Sequence, residues 1–117
     1  VLTGSEGQIL NLLQLGGNGI VAPTANLAPW LHVGIIEAFR TGDYRAAGDL
    51  YRRLAVTLDI YGIPGSFHSV IKEAMVMLDL AAGSTVRSPA LPLTPESRGR
   101  LREALTRADL MAAVGRE

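Results

Sequence analysis

The chain has 117 residues, of which 48% are hydrophobic, and its 11 basic and 11 acidic residues leave a formal net charge of +0. This composition predicts one core, hence one domain or part of one, and argues against disorder and against a nucleic-acid partner, which needs excess positive charge. The absence of cysteine excludes disulfide and thiolate chemistry, and the lack of a long apolar run or a charged leader predicts a cytoplasmic protein without a membrane span.

Two segments of the chain predict short β-strands, residues 1–3 and residues 19–23. Apolar and β-branched side chains dominate both, and such side chains favour extended backbone over helix. The first segment is consistent with the end of a buried strand whose beginning lies outside the chain. Before the second segment, Gly17 and Gly19 are expected to provide the positive φ that a chain leaving a helix requires.

Five helices are predicted from apolar residues at helical spacing. The first follows Ser5, which is expected to cap it, and carries Glu6 in its first turn, where the helix dipole stabilises a carboxylate. Its apolar stripe is expected to comprise Ile9, Leu12, Leu13 and Leu15. The later helices are expected to begin near Pro29, Asp43, Phe67 and Thr94, the third of these reaching Leu80. The chain should therefore be mostly α, with residues 82–93 crossing the surface in extended form.

Residues 16–26, with the sequence G-G-N-G-I-V-A-P-T-A-N, organise this arrangement as a helix end, a strand and a new helix. In α/β folds, the loop that follows a parallel strand carries backbone N–H groups and a helix N-terminus that face ligand. Function is therefore expected at the carboxyl ends of the two predicted strands.

An ordered series of motifs resembles the dihydrodipicolinate synthase and N-acetylneuraminate lyase family. The series comprises L-T-G-S-E at residues 2–6, the stretch at 16–26, the turn at Gly42 and Asp43, the helix around Lys72, and R-x-P-x-x-P-L at 87–93. The resemblance implies an α/β fold, the C-terminal part of a TIM (β/α)8 barrel with a helical C-terminal extension, mostly α by content, because a whole barrel needs about 250 residues. It divides the chain into the last two barrel strand positions with their intervening helix (1–26), barrel-covering helices (27–60) and the extension (61–117).

The family forms a Schiff base between a lysine and pyruvate or a related 2-oxo acid, so the resemblance implies a lyase or synthase of this type. Its reacting lysine belongs on the sixth strand, upstream of Val1, so no catalytic residue is expected here and the isolated chain is expected to be inactive. Lys72, the only lysine, matches a late helix where the family's lysine is structural. No cofactor is implied. The expected partners are the 2-oxo acid, the remainder of the barrel and other copies of the chain in a homo-oligomer, without nucleic acid or membrane.

The resemblance places substrate-binding residues at Gly4, Ser5, Glu6 and Val21. Glu6 falls where acidic residues of the lyases touch the hydroxylated tail of the substrate, whereas Gly7 replaces a second acid, which argues against a sialic-acid-like substrate. Val21 falls where the backbone of an apolar residue borders the pyruvyl carboxylate. The alternatives are a dipole-stabilised carboxylate without ligand for Glu6 and an ordinary buried strand residue for Val21.

No metal site is expected, because His32 and His68 have no acidic or histidine partner at a short metal-ligand spacing. Each is expected to pack or to lie on the surface, His32 on a helix flank. The last helix interleaves arginine with acidic residues, a pattern typical of a solvated face with side-chain ion pairs.

A second class of function stays open from the sequence. The chain is also compatible with a small all-α interaction or scaffold module that acts without catalysis. Such a module would bind its partner through the apolar faces of its helices, whereas the enzyme interpretation requires those faces to cover a sheet.

Overall fold

The computed structural model describes residues 1–111 and divides into two compact units, Val1–Val56 and Thr57–Glu117. The first unit contains strand β1 (Leu2–Thr3), helix α1 (Ile9–Gln14), strand β2 (Gly19–Ile20), helix α2 (Pro29–Arg40) and helix α3 (Tyr44–Thr57), which ends at the unit boundary. The second unit contains helices α4 (Phe67–Met77) and α5 (Pro95–Arg107). Short 3-10 turns lie at Glu6–Gln8, Pro23–Asn26 and Leu58–Gly62. Within residues 1–111, the five predicted helices and two predicted strands are thus confirmed.

Strands β1 and β2 form a parallel pair in which Leu2 lies opposite Gly19 and Thr3 opposite Ile20. The N–H of Val21 extends this ladder by donating to the Thr3 carbonyl at 2.9 Å. The second strand is shorter than the predicted 19–23, because Pro23 opens a 3-10 turn whose backbone cannot continue an extended strand.

Helix α1 begins later and ends earlier than its sequence pattern predicts. Ser5 does not cap it with its side chain, because the turn Glu6–Gln8 intervenes, and the Ser5 N–H is instead bonded to Thr3 Oγ1 at 3.0 Å. Ile9 and Leu13 are buried as predicted, but Leu15 follows the last helical residue and is 87% exposed. Leu15 therefore does not belong to the stripe.

Gly16 and Gly17 follow the C-terminal end of α1, and each is needed for a different reason. Gly16 takes the positive φ, +81°, so the assignment of this conformation to Gly17 and Gly19 is wrong. Gly17 is required for space instead, since a Cβ there would lie 2.2 Å from Leu12 Cγ. A side chain at residue 17 would therefore have to displace the Leu12 side chain for the chain to fold back over α1 in this way.

Helices α2 and α3 meet at the predicted turn. Gly42 adopts a φ of +82° past the end of α2, and Asp43 caps α3 by accepting a hydrogen bond from the Ala46 N–H at 2.9 Å. Pro29 occupies the first position of α2 as expected, where a missing N–H costs nothing. The buried apolar side chains on and before α2 are Leu27, Ala28, Leu31 and Ile35.

The second unit packs α4 against α5, and a hydroxyl caps each helix. Ser66 Oγ accepts from the Ser69 N–H at 3.2 Å, and Thr94 Oγ1 accepts from the Ser97 N–H at 3.1 Å. Helix α4 ends at Met77, three residues before the predicted end. The core of this unit includes Ile60, Val70, Ile71, Ala74, Leu101 and Leu105.

Residues 82–93 contain no helix or strand, in agreement with the prediction. Side chains of α4 hold this segment at both ends: Lys72 Nζ donates to the Thr85 carbonyl at 2.7 Å, and Ser69 Oγ donates to the Leu91 carbonyl at 2.6 Å. The segment is therefore anchored by its backbone carbonyls rather than by regular structure.

Candidate functional site

The two strands present their carboxyl ends at one edge, because they run parallel and in register. Gly4 and Ser5 follow β1 at this edge and are exposed, and Val21 follows β2 and is 67% exposed. The structure thus brings three of the four predicted site residues together. We call Gly4, Ser5 and Val21 the carboxyl edge.

Glu6, the fourth predicted residue, points inward. Glu6 is only 5% exposed. Its carboxylate accepts two hydrogen bonds from Thr24, one from the backbone N–H at 3.3 Å and one from the side-chain hydroxyl. The carboxylate therefore joins the turn after β1 to the turn after β2. Glu6 therefore has side-chain and backbone partners within the chain, and the choice between a ligand contact and a dipole-stabilised carboxylate without ligand stays untested.

His32, which lies in the first turn of α2, is the third member of this buried group. Its Nε2 lies 3.3 Å from Thr24 Oγ1 and 3.4 Å from Glu6 Oε2, and its Nδ1 lies 3.3 Å from the Ala28 carbonyl oxygen. The residue is 4% exposed. We call Glu6, Thr24 and His32 the edge cluster.

Short spacings along the sequence do not indicate this partner of His32. Glu6 and His32 are 26 residues apart, and the pairing of β1 with β2 brings their turns together. No local spacing rule finds such a pair. The signal available in the sequence is a polar residue in the turn that follows each strand, Glu6 after β1 and Thr24 after β2.

Backbone hydrogen bonds stiffen the chain that leaves β2. Within this turn the Ala25 N–H donates to the Ala22 carbonyl at 3.2 Å, and the Thr24 carbonyl accepts from Ala28 at 3.0 Å. The Asn26 side chain donates to the Pro23 carbonyl at 2.9 Å. Together with the bonds to Glu6, these contacts fix the backbone that carries Val21 to the edge.

Among residues 1–111, no group of three or more His, Cys, Asp or Glu side chains could hold a metal ion. His68 is exposed and its ring lies against Phe67, with centroids 3.8 Å apart. The expectation that each histidine packs or lies on the surface is confirmed: His68 lies on the surface and His32 is packed inside, although not on a helix flank. Within the same residues, every helix falls short of the length and apolarity needed to cross a bilayer.

Lys72 has the surroundings of a structural residue. Its side chain is exposed, and its Nζ donates to the Thr85 carbonyl. A Schiff-base lysine instead needs desolvation or a neighbouring cation to become nucleophilic at neutral pH. These surroundings give Lys72 no activating group.

The arginines of α5 form the expected ion pairs. Arg100 Nη2 lies 2.8 Å from Glu96 Oε1, one helical turn away, and Arg98 Nε lies 3.3 Å from Glu73 Oε1 on α4. The first pair is a solvated one on a single helix, and the second joins the two helices of this unit. Neither forms an anion site.

A cavity of about 540 Å³ lies in the second unit. Prolines and polar residues around Ser66, Thr94 and Ser97 line it, and the hydroxyls of Ser66 and Thr94 are engaged as helix caps. Its described lining holds Glu96 as the one charged side chain. The carboxyl edge, which lies at the ends of two parallel strands, is therefore favoured over this cavity as the functional site.

Comparisons with known proteins cover nearly the whole chain. Residues 1–108 match the Dihydrodipicolinate synthetase family. The chain is 32% identical to the putative 2-dehydro-3-deoxy-D-gluconate aldolase YagE of Escherichia coli K12, over 94% of this chain and 36% of that protein. It is 36% identical to a 4-hydroxy-tetrahydrodipicolinate synthase of Methanothrix thermoacetophila, over 92% of this chain and 36% of that protein.

The structure is similar to the crystal structure of YagE in complex with pyruvate, with a TM-score of 0.87 and 32% sequence identity. This match covers 94% of the present chain and 37% of the YagE chain. The chain thus spans about a third of the length of the curated relatives it matches.

Proposed function

The chain belongs to the dihydrodipicolinate synthetase family, and we propose that it supplies the C-terminal part of a lyase that condenses or cleaves pyruvate-type 2-oxo acids through a lysine Schiff base. The family and the fold class predicted from the sequence are confirmed: the chain is part of a (β/α)8 barrel and is mostly helical. Its activity, substrate and partners are the proposal.

The observation that carries the proposal is the parallel pairing of β1 with β2. Barrel enzymes of this architecture place their active sites at the carboxyl ends of the strands. Gly4, Ser5 and Val21 occupy that position in this chain. The presence of pyruvate in the similar YagE structure supports a 2-oxo acid as the ligand.

We assign the residues of the edge different roles. The Val21 N–H is engaged by the Thr3 carbonyl, so Val21 borders the substrate with its carbonyl and its exposed side chain. Gly4 and Ser5 form the opposite wall, through their backbone groups and the Ser5 hydroxyl. Glu6, which the resemblance places in contact with substrate, is proposed to act from beneath the edge by holding Thr24.

The reacting lysine is proposed to lie in a part of the barrel outside residues 1–117. Its amine adds to the 2-oxo carbon and water leaves, giving an iminium ion. In cleavage, the hydroxyl on the fourth carbon loses its proton to a base and leaves as an aldehyde, while the electron pair of the bond between the third and fourth carbons moves toward the iminium ion and gives an enamine. In condensation, the pyruvate iminium ion loses a methyl proton to give the same enamine, which attacks an aldehyde whose oxygen takes up a proton. This chain contributes the wall against which the carboxylate end of that intermediate rests.

The remainder of the barrel is the partner that we propose for the sheet. The apolar side chains of Val1, Leu2 and Val21 are 86%, 60% and 67% exposed. Covering such surface stabilises a fold by about 25 cal/mol for each Å² removed from water. Neighbouring strands and other copies of the protein in a homo-oligomer would provide this cover.

Reduction with borohydride in the presence of pyruvate tests the proposal, because it converts a Schiff base into a stable secondary amine. We expect peptide mapping of the intact native polypeptide to find the pyruvyl mass on a lysine outside residues 1–117. The isolated chain should remain unlabelled, and Lys72→Arg should not change the result for the intact polypeptide. Labelling at Lys72 would contradict the proposal, and an intact polypeptide that takes no label would favour the interaction module.

A further inference from the structure

The turn that follows β1 has weak support from its own residues. It is a short 3-10 turn over Glu6–Gln8, in which the Gln8 N–H donates to the Ser5 carbonyl at 3.0 Å. Hydrogen bonds in 3-10 geometry are poorer than those of an α-helix, so segments of this kind stay short. The Ser5 side chain adds no cap to the turn. Local contacts therefore hold the backbone beside the carboxyl edge only weakly.

Gly7 weakens the turn further. Its φ lies outside the left-handed region, and a Cβ there would meet nothing within 4 Å, so neither backbone conformation nor space requires glycine. Glycine loses more conformational freedom on folding than any other residue, which makes a helical turn that contains it less stable. The turn is therefore well ordered only if a contact from elsewhere in the fold restrains it.

Helix α3 supplies such a contact through Tyr51. The Tyr51 hydroxyl donates to the Gly7 carbonyl at 2.8 Å, across 44 residues of sequence. Ala47 and Leu54, about one helical turn before and after Tyr51, are both buried, so Tyr51 lies on the face of α3 that packs into the core. The tyrosine therefore reaches the turn after β1 from a rigid part of the first unit.

The preceding residue of the turn is held from a different direction. Glu6 belongs to the edge cluster and accepts from the Thr24 N–H in the turn after β2, whereas Gly7 accepts from α3. Adjacent residues of one short turn are thus attached to two separate elements, and both attachments lie within the first unit. Gly4 and Ser5 stand between β1 and these attachments, so their position depends on both.

We infer that Tyr51 is a positioning residue for the carboxyl edge: its hydroxyl holds the Gly7 carbonyl and thereby keeps the wall on the β1 side of the edge in place. The inference rests on the proposed function, because this wall serves catalysis only if a 2-oxo acid rests against it. The hydroxyl acts through the backbone of the turn, not by touching the ligand. Its loss therefore weakens binding of the 2-oxo acid and leaves the chemistry of the lysine unchanged.

The pyruvate dependence of borohydride trapping in the intact native polypeptide tests the inference. Tyr51→Phe removes the hydroxyl and keeps the ring, so the packing of α3 is retained. We expect the pyruvate concentration for half-maximal trapping to rise about threefold to tenfold, as the loss of one neutral hydrogen bond allows. The trapping rate at saturating pyruvate should stay within about twofold, because the reacting groups are untouched.

Tyr44→Phe is the matched control on the same helix. It removes a hydroxyl from an exposed tyrosine and keeps the edge-to-face ring contact with Phe39. Both the half-maximal pyruvate concentration and the saturating rate should equal those of the unmodified protein.

Hydrogen exchange shows whether the effect comes from the turn. The Gln8 amide, which donates to the Ser5 carbonyl, should exchange about threefold to tenfold faster in Tyr51→Phe than in the unmodified protein. In Tyr44→Phe the same amide should keep its protection. Amides of α5 in the second unit serve as the folding control, since their exchange should not change in either variant.

The inference and the proposed function fail in distinguishable ways. Trapping of the unmodified protein on a lysine outside residues 1–117, with the same half-maximal pyruvate concentration in Tyr51→Phe, would overturn the inference and leave the proposed chemistry intact. An unchanged Gln8 amide, or a loss confined to the saturating rate, would overturn it as well. An unmodified polypeptide that takes no label at any pyruvate concentration would remove the proposed function, and the positioning role with it.

Discussion

Thr3 and Val21 join the two strands at the point where both end, since the Thr3 carbonyl accepts the Val21 N–H at 2.9 Å. This bond is the last rung of the ladder, and the residues that follow it on each side form the carboxyl edge. The edge is therefore a product of strand pairing rather than of any single motif.

Glu6→Ala should destabilise the protein by about 3 kcal/mol, because it leaves Thr24 and His32 buried with an unmet partner. Glu6→Gln preserves volume and one acceptor, so its loss should be smaller, about 1 kcal/mol. Urea unfolding of the intact native polypeptide measures both. Glu96→Ala is the matched control, since its solvated pair with Arg100 should contribute less than about 1 kcal/mol.

Gly17→Ala should cost about 1–3 kcal/mol, because its Cβ would overlap the Leu12 side chain. Gly99→Ala tests the opposite case: Gly99 lies within α5, and a Cβ there meets nothing within 4 Å. Alanine should therefore stabilise that helix by about 0.5–1 kcal/mol. Thermal unfolding of the two variants should give shifts of opposite sign, and equal losses would refute the packing argument.

Val21→Pro should reduce the rate of pyruvate trapping at least about tenfold, because proline removes the N–H that donates to Thr3 and releases the end of β2. Val21→Ala keeps that N–H and the carbonyl, so trapping should persist. The two rates are compared by mass spectrometry of borohydride-reduced protein. Equal loss in both variants would show that the side chain, not the backbone, is what the site requires.

Thr94→Ala should destabilise the second unit by about 1 kcal/mol, because the Ser97 N–H loses its cap. Thr94→Ser retains the hydroxyl and should restore most of this loss. Amide exchange in the first turn of α5 reports the effect locally. Protection that is unchanged in the alanine variant would mean that Pro95 and the remaining contacts suffice to start the helix.

Much of this fold is predictable because its signals are local. Asp43 and Thr94 stand directly before their helices and cap them, and Pro29 occupies the first turn of α2. The parallel pairing of two strands separated by a helix follows from their spacing and the family resemblance. These features require no knowledge of distant contacts.

The errors share a physical cause, which is that tertiary contacts decide between locally equivalent choices. Gly16 and Gly17 are equally suited to a positive φ, and the position of Leu12 decides that Gly17 serves packing instead. Leu15 continues an apolar pattern, but the helix has already ended. Glu6 and His32 meet only after β1 and β2 have paired, so their contact was beyond any spacing rule.

The division of the chain by barrel position, with boundaries after residues 26 and 60, stays a prediction. So do the substrate-binding roles of Gly4, Ser5, Glu6 and Val21. Exposure and strand direction support the edge as a site, and the burial of Glu6 against Thr24 is the reason that we propose a supporting role for Glu6. The predicted homo-oligomer awaits measurement of the mass of the intact polypeptide in solution.

We propose that the carboxyl edge forms one wall of a pyruvate site whose lysine lies elsewhere in the barrel. A crystal structure of the intact native polypeptide reduced with pyruvate tests it most directly. We predict a pyruvyl adduct on a lysine outside residues 1–117, in contact with Val21 and with Gly4 or Ser5. An adduct on Lys72, or one that does not contact the carboxyl edge, would contradict the account.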